Sequence, residues 1–358
     1  MKVTHVITTI ARGGAENQLK VLIAEQIQRG HKVEVVYLKG EPELRIKLES
    51  LGAVVNNFLV GRRFLTQLFF LRIFFKHNSG IIHAHLPRAE LISALSNPNR
   101  NVIVSTHNAE PFFPKAPKFV SILLSRLVEK KCQRLVVISK AVKEYLVSNR
   151  EIVDKSKVEL VYYGFDPDIP NRSERPFNSS VEFRIGTIGR LTNQKDYPTL
   201  FEAFKLFLKT HTKAKLFIVG GGELETELKE LANEIGIDSN VVWVGRTDDV
   251  HTWLSKMDLF VLASKYEGFG LVLLEAIQAG VPVLASNNSA IPEVLGSGSA
   301  GLFRTGDSRE LFEKINFYED EKNRQLLVNE QRQRLQFFTP SRMILEMDQI
   351  YFEVSRTQ

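Results

Sequence analysis

Residues 266–286 read YEGFGLVLLEAIQAGVPVLAS, and two glutamates, Glu267 and Glu275, stand out in this apolar stretch. A buried helix followed by a buried strand accounts for the apolar run. It does not account for Glu267 inside a Glu-Gly-Phe-Gly turn, where a bare carboxylate among flexible residues costs stability. The strand expected at 258–262 (DLFVL) feeds this turn, and helix formers begin near Leu271. A strand-turn-helix unit of this kind aims backbone amides and the positive end of a helix dipole at a pyrophosphate. Glu267 would lie in the turn and Glu275 in the early helix, so the two carboxylates straddle the phosphate position. Carboxylates accept hydrogen bonds from hydroxyls. The expected ligand therefore has hydroxyls at both ends and a diphosphate in the middle, as a nucleotide sugar does.

Outward from this stretch, short β-rich runs alternate with helical ones, the pattern of parallel α/β sheets. Strands are expected near 3–9, 33–38, 80–84, 101–105 and 134–138, and again near 183–189, 215–220, 240–244, 258–262 and 281–285. Between the two series lies DPDIPNRSERPFNSS, residues 166–180, polar and with three prolines, which reads as a linker. The expected architecture is α/β: two doubly wound parallel-sheet domains facing a cleft, with ligands at the carboxyl ends of the strands. Residues 341–358 read as a closing helix that packs back on the first domain.

The chain of 358 residues is long enough for two such domains. One cysteine, Cys132, excludes an internal disulfide framework and fits a reducing cytoplasm. The N-terminal MKVTHVITTIARGG is too short in its apolar part for a signal peptide, and no apolar run is long enough to span a bilayer. Residues 1–170 hold 25 Lys and Arg against 15 Asp and Glu, the remainder 22 against 26. The first half is therefore the one expected to face something anionic.

Three further glycine turns follow expected strands. ARGGAE, 11–16, offers Gly13 and Gly14 before a helix, though a plain strand-to-helix turn fits it equally, and it is not the dinucleotide-binding fingerprint. GRLTNQKDYPTL, 189–200, could converge Arg190 and Lys195 on one diphosphate, with Pro198 in the first turn of the next helix. GGGELETEL, 220–228, admits a structural and a binding reading alike.

Together the E-x7-E pair, the RGGAE turn, the GR…K pair, the double-sheet layout and VYYGFD before the linker resemble the retaining GT-B glycosyltransferases of family 4, group 1. The likeness runs through nearly the whole chain, with the motifs in the family's order. It implies an acceptor-binding domain at 1–165 and a nucleotide-sugar domain at 181–340. By resemblance Glu275 holds the ribose hydroxyls and Glu267 a hydroxyl of the transferred sugar, with Gly268, Phe269, Gly270 and Leu271 at the phosphates. Arg190 and Lys195 neutralise the leaving diphosphate, where other sugar transferases use a metal ion. Gly13 and Gly14 close over the donor phosphates or the acceptor. His107, in STHN, matches the family's histidine near the reacting carbon; on residues alone it reads as a satisfied strand-end histidine. His83 and His85 read as structural. Base selection is expected around VWVGRTDD, 242–249, with Arg246 at the donor and a uridine nucleotide as the default. No cofactor and no metal are expected, and Asp166 and Asp168 read as turn residues.

RRFLTQLFFLRIFFKH, 62–77, concerns the acceptor. On a helix, Phe64, Leu68, Leu71 and Phe75 make one core stripe, while Phe69, Phe70, Ile73 and Phe74 fall among Arg62, Arg63, Arg72 and Lys76. Phenylalanines among arginines suit an anionic lipid surface, as does PFFPKAPKF at 111–119. A helix covered by protein on both sides is the plainer alternative, and nucleic acid is not expected. The family likeness then implies a glycan or polyprenyl-diphosphate-linked acceptor at the inner face of the cell membrane, in bacterial surface polysaccharide assembly. A sugar-nucleotide 2-epimerase and a non-catalytic partner subunit of the same fold are the rival readings. A nicotinamide-dependent dehydrogenase lacks its glycine signature.

Overall fold

The computed structural model describes residues 1–11, 13–97, 101–165 and 182–356. The expected linker at 166–180, with Asp166 and Asp168, lies outside the described residues. Two units partition the chain: Met1–Asp166 with Phe338–Gln358, and Pro167–Phe337.

In the first unit, seven strands form one sheet. They are β1 (Lys2–Ile7), β2 (Lys32–Tyr37), β3 (Val54–Asn56), β4 (Ile81–His85), β5 (Val102–Thr106), β6 (Arg134–Val137) and β7 (Val158–Leu160). Their order is β3-β2-β1-β4-β5-β6-β7, with every pairing parallel. The second unit repeats the plan with β8 (Arg184–Ile188), β9 (Lys215–Val219), β10 (Val241–Gly245), β11 (Leu259–Leu262), β12 (Val283–Ser286) and β13 (Leu302–Phe303). Its order is β10-β9-β8-β11-β12-β13, again parallel. Both are doubly wound sheets, and the strand order reverses at β1/β4 in one and at β8/β11 in the other. Loops leaving those strands part to opposite sides and leave a crevice at their carboxyl ends.

The ten strands read from the sequence are all present. Three short ones, β3, β7 and β13, were not foreseen, because two or three residues leave no periodic signal. The strands are near-continuous apolar runs because helices cover both faces. His5, His83 and His85 interrupt that pattern, and all three are buried.

The last helix, Pro340–Arg356, packs on the first sheet. Met343, Ile344, Met347, Ile350, Tyr351 and Val354 join Val3, Val21, Leu22, Ile81, Ile103, Val136 and Val161 in one core. Just before it, Phe165 N–H donates to Phe338 O at 2.6 Å, so the chain leaving β7 and the chain entering the helix lie side by side.

Candidate functional site

The two glutamates of the E-x7-E stretch sit after β11, and the structure gives them opposite surroundings. Glu267 is buried in the turn. Its Oε1 receives the Lys195 ammonium at 2.6 Å and the Ser264 hydroxyl at 2.7 Å. Both hydrogen bonds fall on one oxygen, and among the described residues no hydrogen bond falls on Oε2. Glu275 is half-buried in the helix Leu271–Gln278 and has no hydrogen-bond or ionic partner among the described residues. Burial alone pushes its carboxyl up to about 7. A group held this way gains from hydroxyl donors, which favour the ionised form.

Between them lies the start of that helix. Gly270 takes φ +88°, a left-handed conformation that favours glycine, and no side chain caps the helix. An uncapped helix start attracts an anion. Phe269, expected at the phosphates, turns its ring into the core at 2 % exposure, so only its backbone faces the turn. Gly268 and Leu271 are half-buried in the same segment.

The partner loop follows β8. It runs through a short 3-10 turn, Asn193–Lys195, and the left-handed Asp196 (φ +49°) into the helix Tyr197–Leu208. Four contacts tie it to the Glu267 turn. They are the Lys195–Glu267 pair, Lys265 N–H to Gln194 O at 2.8 Å, Gln194 Nε2 to Tyr266 O at 2.9 Å, and Lys265 to Asp196 at 3.6 Å. Ser289 holds the turn from the far side, its hydroxyl donating to Glu267 O at 2.7 Å. Lys195 reaches Glu267 by crossing Gly189, where a Cβ would stand 3.0 Å from Lys195 Cε. Arg190 is exposed at the end of β8, with no ion pair among the described residues. The two cations expected to converge thus differ: Lys195 is engaged and Arg190 is at large.

The glycines of GGGELETEL are explained by packing. A Cβ on Gly220 would strike Gly189 O, and one on Gly222 would strike the Leu191 backbone. Their role is to let the β8 loop lie flat on the end of β9. Exposed Arg246 lies over Gly221, its Nε 3.2 Å from where a Cβ would be.

In the first unit Gly13 caps the helix Gly14–Gln28, and Glu16 folds its carboxylate back over Gly13 while accepting from Thr9 Oγ1 at 2.7 Å. Glu16 thus lies in the first turn of the helix, close over its start. Gly13, expected with Gly14 to close over the donor phosphates or the acceptor, has the Glu16 carboxylate beside it. His107, after β5, departs from expectation. Its Nδ1 meets the Tyr163 hydroxyl at 2.5 Å and its Nε2 meets His85 Nδ1 at 3.2 Å, so both nitrogens are taken by other side chains. Burial holds His107 down to about 4. Beside it a cavity of about 30 Å³, lined by Gln18, His83, His85, Ser105, His107 and Tyr163 among others, has room for water and none for a sugar ring. Among the described residues His5, His83 and His85 form a group that could hold a metal ion, their ligand atoms within 4.8 Å of one another. Cys132 is buried and its thiol is pushed up to about 12, too high for a nucleophile.

The stretch 62–77 forms the helix Phe64–His77, with Gln67, Leu71 and Phe75 buried. Phe69 is 58 % exposed and Ile73 is exposed, joined by Leu65, which sequence reading left out. Phe74 is corrected: it is half-buried, packed on Phe58 at 5.3 Å. Phe70 is half-buried under Arg62, whose guanidinium carbon lies 4.2 Å from the ring centre. Arg63, Arg72 and Lys76 are exposed. The buried helix Pro87–Ser96 separates this helix from Lys118–Lys131, which exposes Phe119 and Leu123 beside Lys118 and Arg126. In PFFPKAPKF, Phe112 belongs to the core. Among the described residues no helix is long and apolar enough to cross a membrane.

Ser264 and Ser289 had no signal of their own in the sequence, since single polar residues near strand ends are common, while Glu16, Gln194 and Tyr163 lay in quoted motifs without being singled out.

Two family models together match residues 12–335. Glycosyltransferase Family 4 covers residues 12–169 and Glycosyl transferases group 1 covers 169–335. An uncharacterized glycosyltransferase of Methanocaldococcus jannaschii is 33% identical over 176 residues, 46% of this chain and 44% of that protein. The chain thus spans less than half the length of that relative. The capsular polysaccharide biosynthesis glycosyltransferase CapM of Staphylococcus aureus is 24% identical over 294 residues, 76% of each. Among solved structures, Anabaena Alr3699/HepE in complex with UDP and glucose superposes with a TM-score of 0.82 at 19% identity, over 98% of this chain and 99% of that one.

Proposed function

The chain belongs to the group 1, family 4 glycosyltransferases and has their GT-B fold, and from that premise we propose that it transfers a sugar from a nucleotide-sugar donor with retention of configuration. One observation carries the reading. At the β8/β11 switch point an unpartnered Glu275 and an ion-paired Glu267 flank an uncapped helix start.

Glu275 accepts from the ribose diol. The helix start, Lys195 and Arg190 take the diphosphate, and Arg246 lies at the donor's base end. Oε2 of Glu267 accepts from a hydroxyl of the sugar. The acceptor oxygen attacks the anomeric carbon on the face from which the diphosphate departs. The bond from that carbon to the phosphate oxygen breaks, the bond to the acceptor forms, and the acceptor's proton passes to the departing phosphate. Positioning and charge neutralisation supply the catalysis, with no metal ion.

The donor is a uridine nucleotide, in keeping with the UDP in the Anabaena complex. The acceptor is a glycan or lipid-linked oligosaccharide of bacterial surface polysaccharide, in line with the Staphylococcus relative. Leu65, Phe69, Ile73, Phe119 and Leu123, exposed among arginines and lysines, support peripheral docking on the anionic inner face of the cell membrane.

The test is thermal unfolding with UDP, GDP or ADP, with and without magnesium, for wild type and Glu275→Ala. A bound nucleotide at 100 times its dissociation constant adds about 2.7 kcal/mol. A shift from UDP that survives chelation and fades in the variant is the expected result. No shift with any nucleotide would leave a non-catalytic partner subunit as the better reading.

A further inference from the structure

His107 is the outer end of an unbroken run of side chains through the first unit. The Tyr163 hydroxyl lies 2.5 Å from His107 Nδ1, and His107 Nε2 lies 3.2 Å from His85 Nδ1. His85 Nε2 lies 3.0 Å from His5 Nδ1, and His5 Nε2 lies 2.9 Å from Gln26 Oε1. Gln26 Nε2 then reaches the Tyr351 hydroxyl at 3.1 Å. That hydroxyl meets His83 Nδ1 at 2.8 Å, and His83 Nε2 meets Ser105 Oγ at 2.7 Å. Every ring nitrogen of the four histidines has a partner. His83 turns both of its nitrogens to Tyr351 and Ser105, an arrangement at odds with three rings converging on one metal ion.

A neutral imidazole has one donor and one acceptor, so the direction of each bond fixes the next. Gln26 sets the direction. Its amide nitrogen donates to Tyr351, so its oxygen accepts from His5 Nε2–H. His5 Nδ1 is then bare and accepts from His85 Nε2–H. His85 Nδ1 in turn accepts from His107 Nε2–H, and His107 Nδ1 accepts from Tyr163. Burial lowers the pKa of all four rings, so the run is uncharged at neutral pH. Reversing one bond alone would set two donors or two acceptors face to face, at the cost of an unmade buried hydrogen bond.

We propose that His85, His5 and Gln26 are positioning residues for His107, a directional relay that holds it as the neutral Nε2–H tautomer with Nδ1 closed by Tyr163. The inference rests on the transferase reading and sharpens it. With its basic nitrogen occupied and its hydrogen committed inward, His107 cannot take the acceptor's proton. It supplies a fixed surface and dipole, and the proton's acceptor is some group other than His107.

The test is long-range 1H–15N NMR of the histidines in the full chain at pH 7.5, with sugar transfer and UDP affinity measured on the same samples. The relay requires a single Nε2-protonated His107 in the wild type. Gln26→Leu, which removes the acceptor for His5, should give mixed tautomers at His107, three links away. Turnover should drop at least tenfold with UDP affinity unchanged. Gln26→Glu keeps an acceptor for His5 and should restore both tautomer and turnover. A wild-type His107 that is Nδ1-protonated or charged overturns the proposal, and needs no variant to fold. So does a Gln26→Leu protein with tautomer and turnover intact, or stoichiometric zinc uptake with metal-shifted ring resonances. A protein that ignores every nucleotide yet shows the single His107 tautomer upholds the relay and sinks only the donor site.

Discussion

Lys195 Nζ and Glu267 Oε1 stand 2.6 Å apart, on loops 72 residues distant in the chain, with side chains 15 % and 9 % exposed. The pair fastens the β8 loop to the β11 turn and spends one carboxylate oxygen doing so. Removing one partner strands the other charge in a mostly dry place. Lys195→Met should therefore cost about 3 kcal/mol in urea unfolding, and Lys195→Met with Glu267→Gln distinctly less. Both variants should lose sugar transfer. A Lys195→Met protein as stable as wild type would show that Ser264 alone suffices for Glu267.

If Glu275 holds the donor as proposed, binding should be pH-dependent. Its folded pKa is raised to about 7 by burial, so near neutrality the empty site is partly protonated. Ribose hydroxyls favour the carboxylate, so binding lowers the pKa and releases protons. UDP affinity should rise from pH 6 to pH 8, and the calorimetric heat should vary with the buffer's ionisation enthalpy. Glu275→Gln should flatten both. For stability the sign is reversed. A raised folded pKa contributes fully below the unfolded value near 4.5 and is lost as pH climbs through 7, so Glu275→Gln should gain in stability relative to wild type at pH 8.

Acid acts on the first unit through its histidines. Burial holds His5 down to about 4, while the unfolded ring titrates near 6.5. The unfolded chain takes the proton first, so stability is intact above pH 6.5 and falls as pH drops towards 4. His5 alone is worth about 3 kcal/mol when the fall is complete. Hydrogen exchange between pH 7 and pH 4 should show β1, β4 and β5 opening before the strands of the second unit.

Gly222→Ala should act at a distance of one loop. Its Cβ would meet the backbone of Leu191, which has no flexible end to move aside. The β8 loop must lift, taking Lys195 with it. We expect a loss of at least tenfold in nucleotide affinity by calorimetry, whereas Gly236→Ala, which meets nothing within 4 Å, should cost only the strain of φ +78°.

The proposed membrane docking should be separable from catalysis. Leu65→Ser with Phe69→Ser removes the two most exposed apolar groups of the helix Phe64–His77. Sedimentation with vesicles containing anionic lipid should fall severalfold, and high salt should weaken the remainder. Transfer to a water-soluble acceptor should be unchanged.

The strands were legible because a parallel sheet buried on both faces writes long apolar runs, and the E-x7-E turn was legible because glycines and a carboxylate in such a run demand a reason. Gly220 and Gly222 could not be resolved, since the backbone they make room for lies about 30 positions earlier. His83 and His85 were read as structural, and the relay that joins them to His107 was invisible. It is built from β1, β4, β5, a helix near each end of the chain and the stretch after β7, and neighbours across a sheet leave no spacing in the sequence. Phe74 was misplaced because a 3.6-residue period fixes the direction of a side chain but not what stands opposite; Phe58, from the preceding turn, covers it.

The clasp between Phe165 and Phe338 has a genetic consequence. The second unit is one uninterrupted segment of sequence, residues 167–337, inserted into that of the first, and Phe165 and Phe338 on either side of the insertion are hydrogen-bonded. A deletion of 167–337 would need only a short bridge from residue 165 to residue 338. Truncation behind residue 337 is another matter, since it strips Met343, Ile344, Met347, Ile350 and Tyr351 from a core they share with Val3, Val21 and Leu22, more than 300 positions earlier. The first unit is therefore incomplete until residues 340–356 have been made.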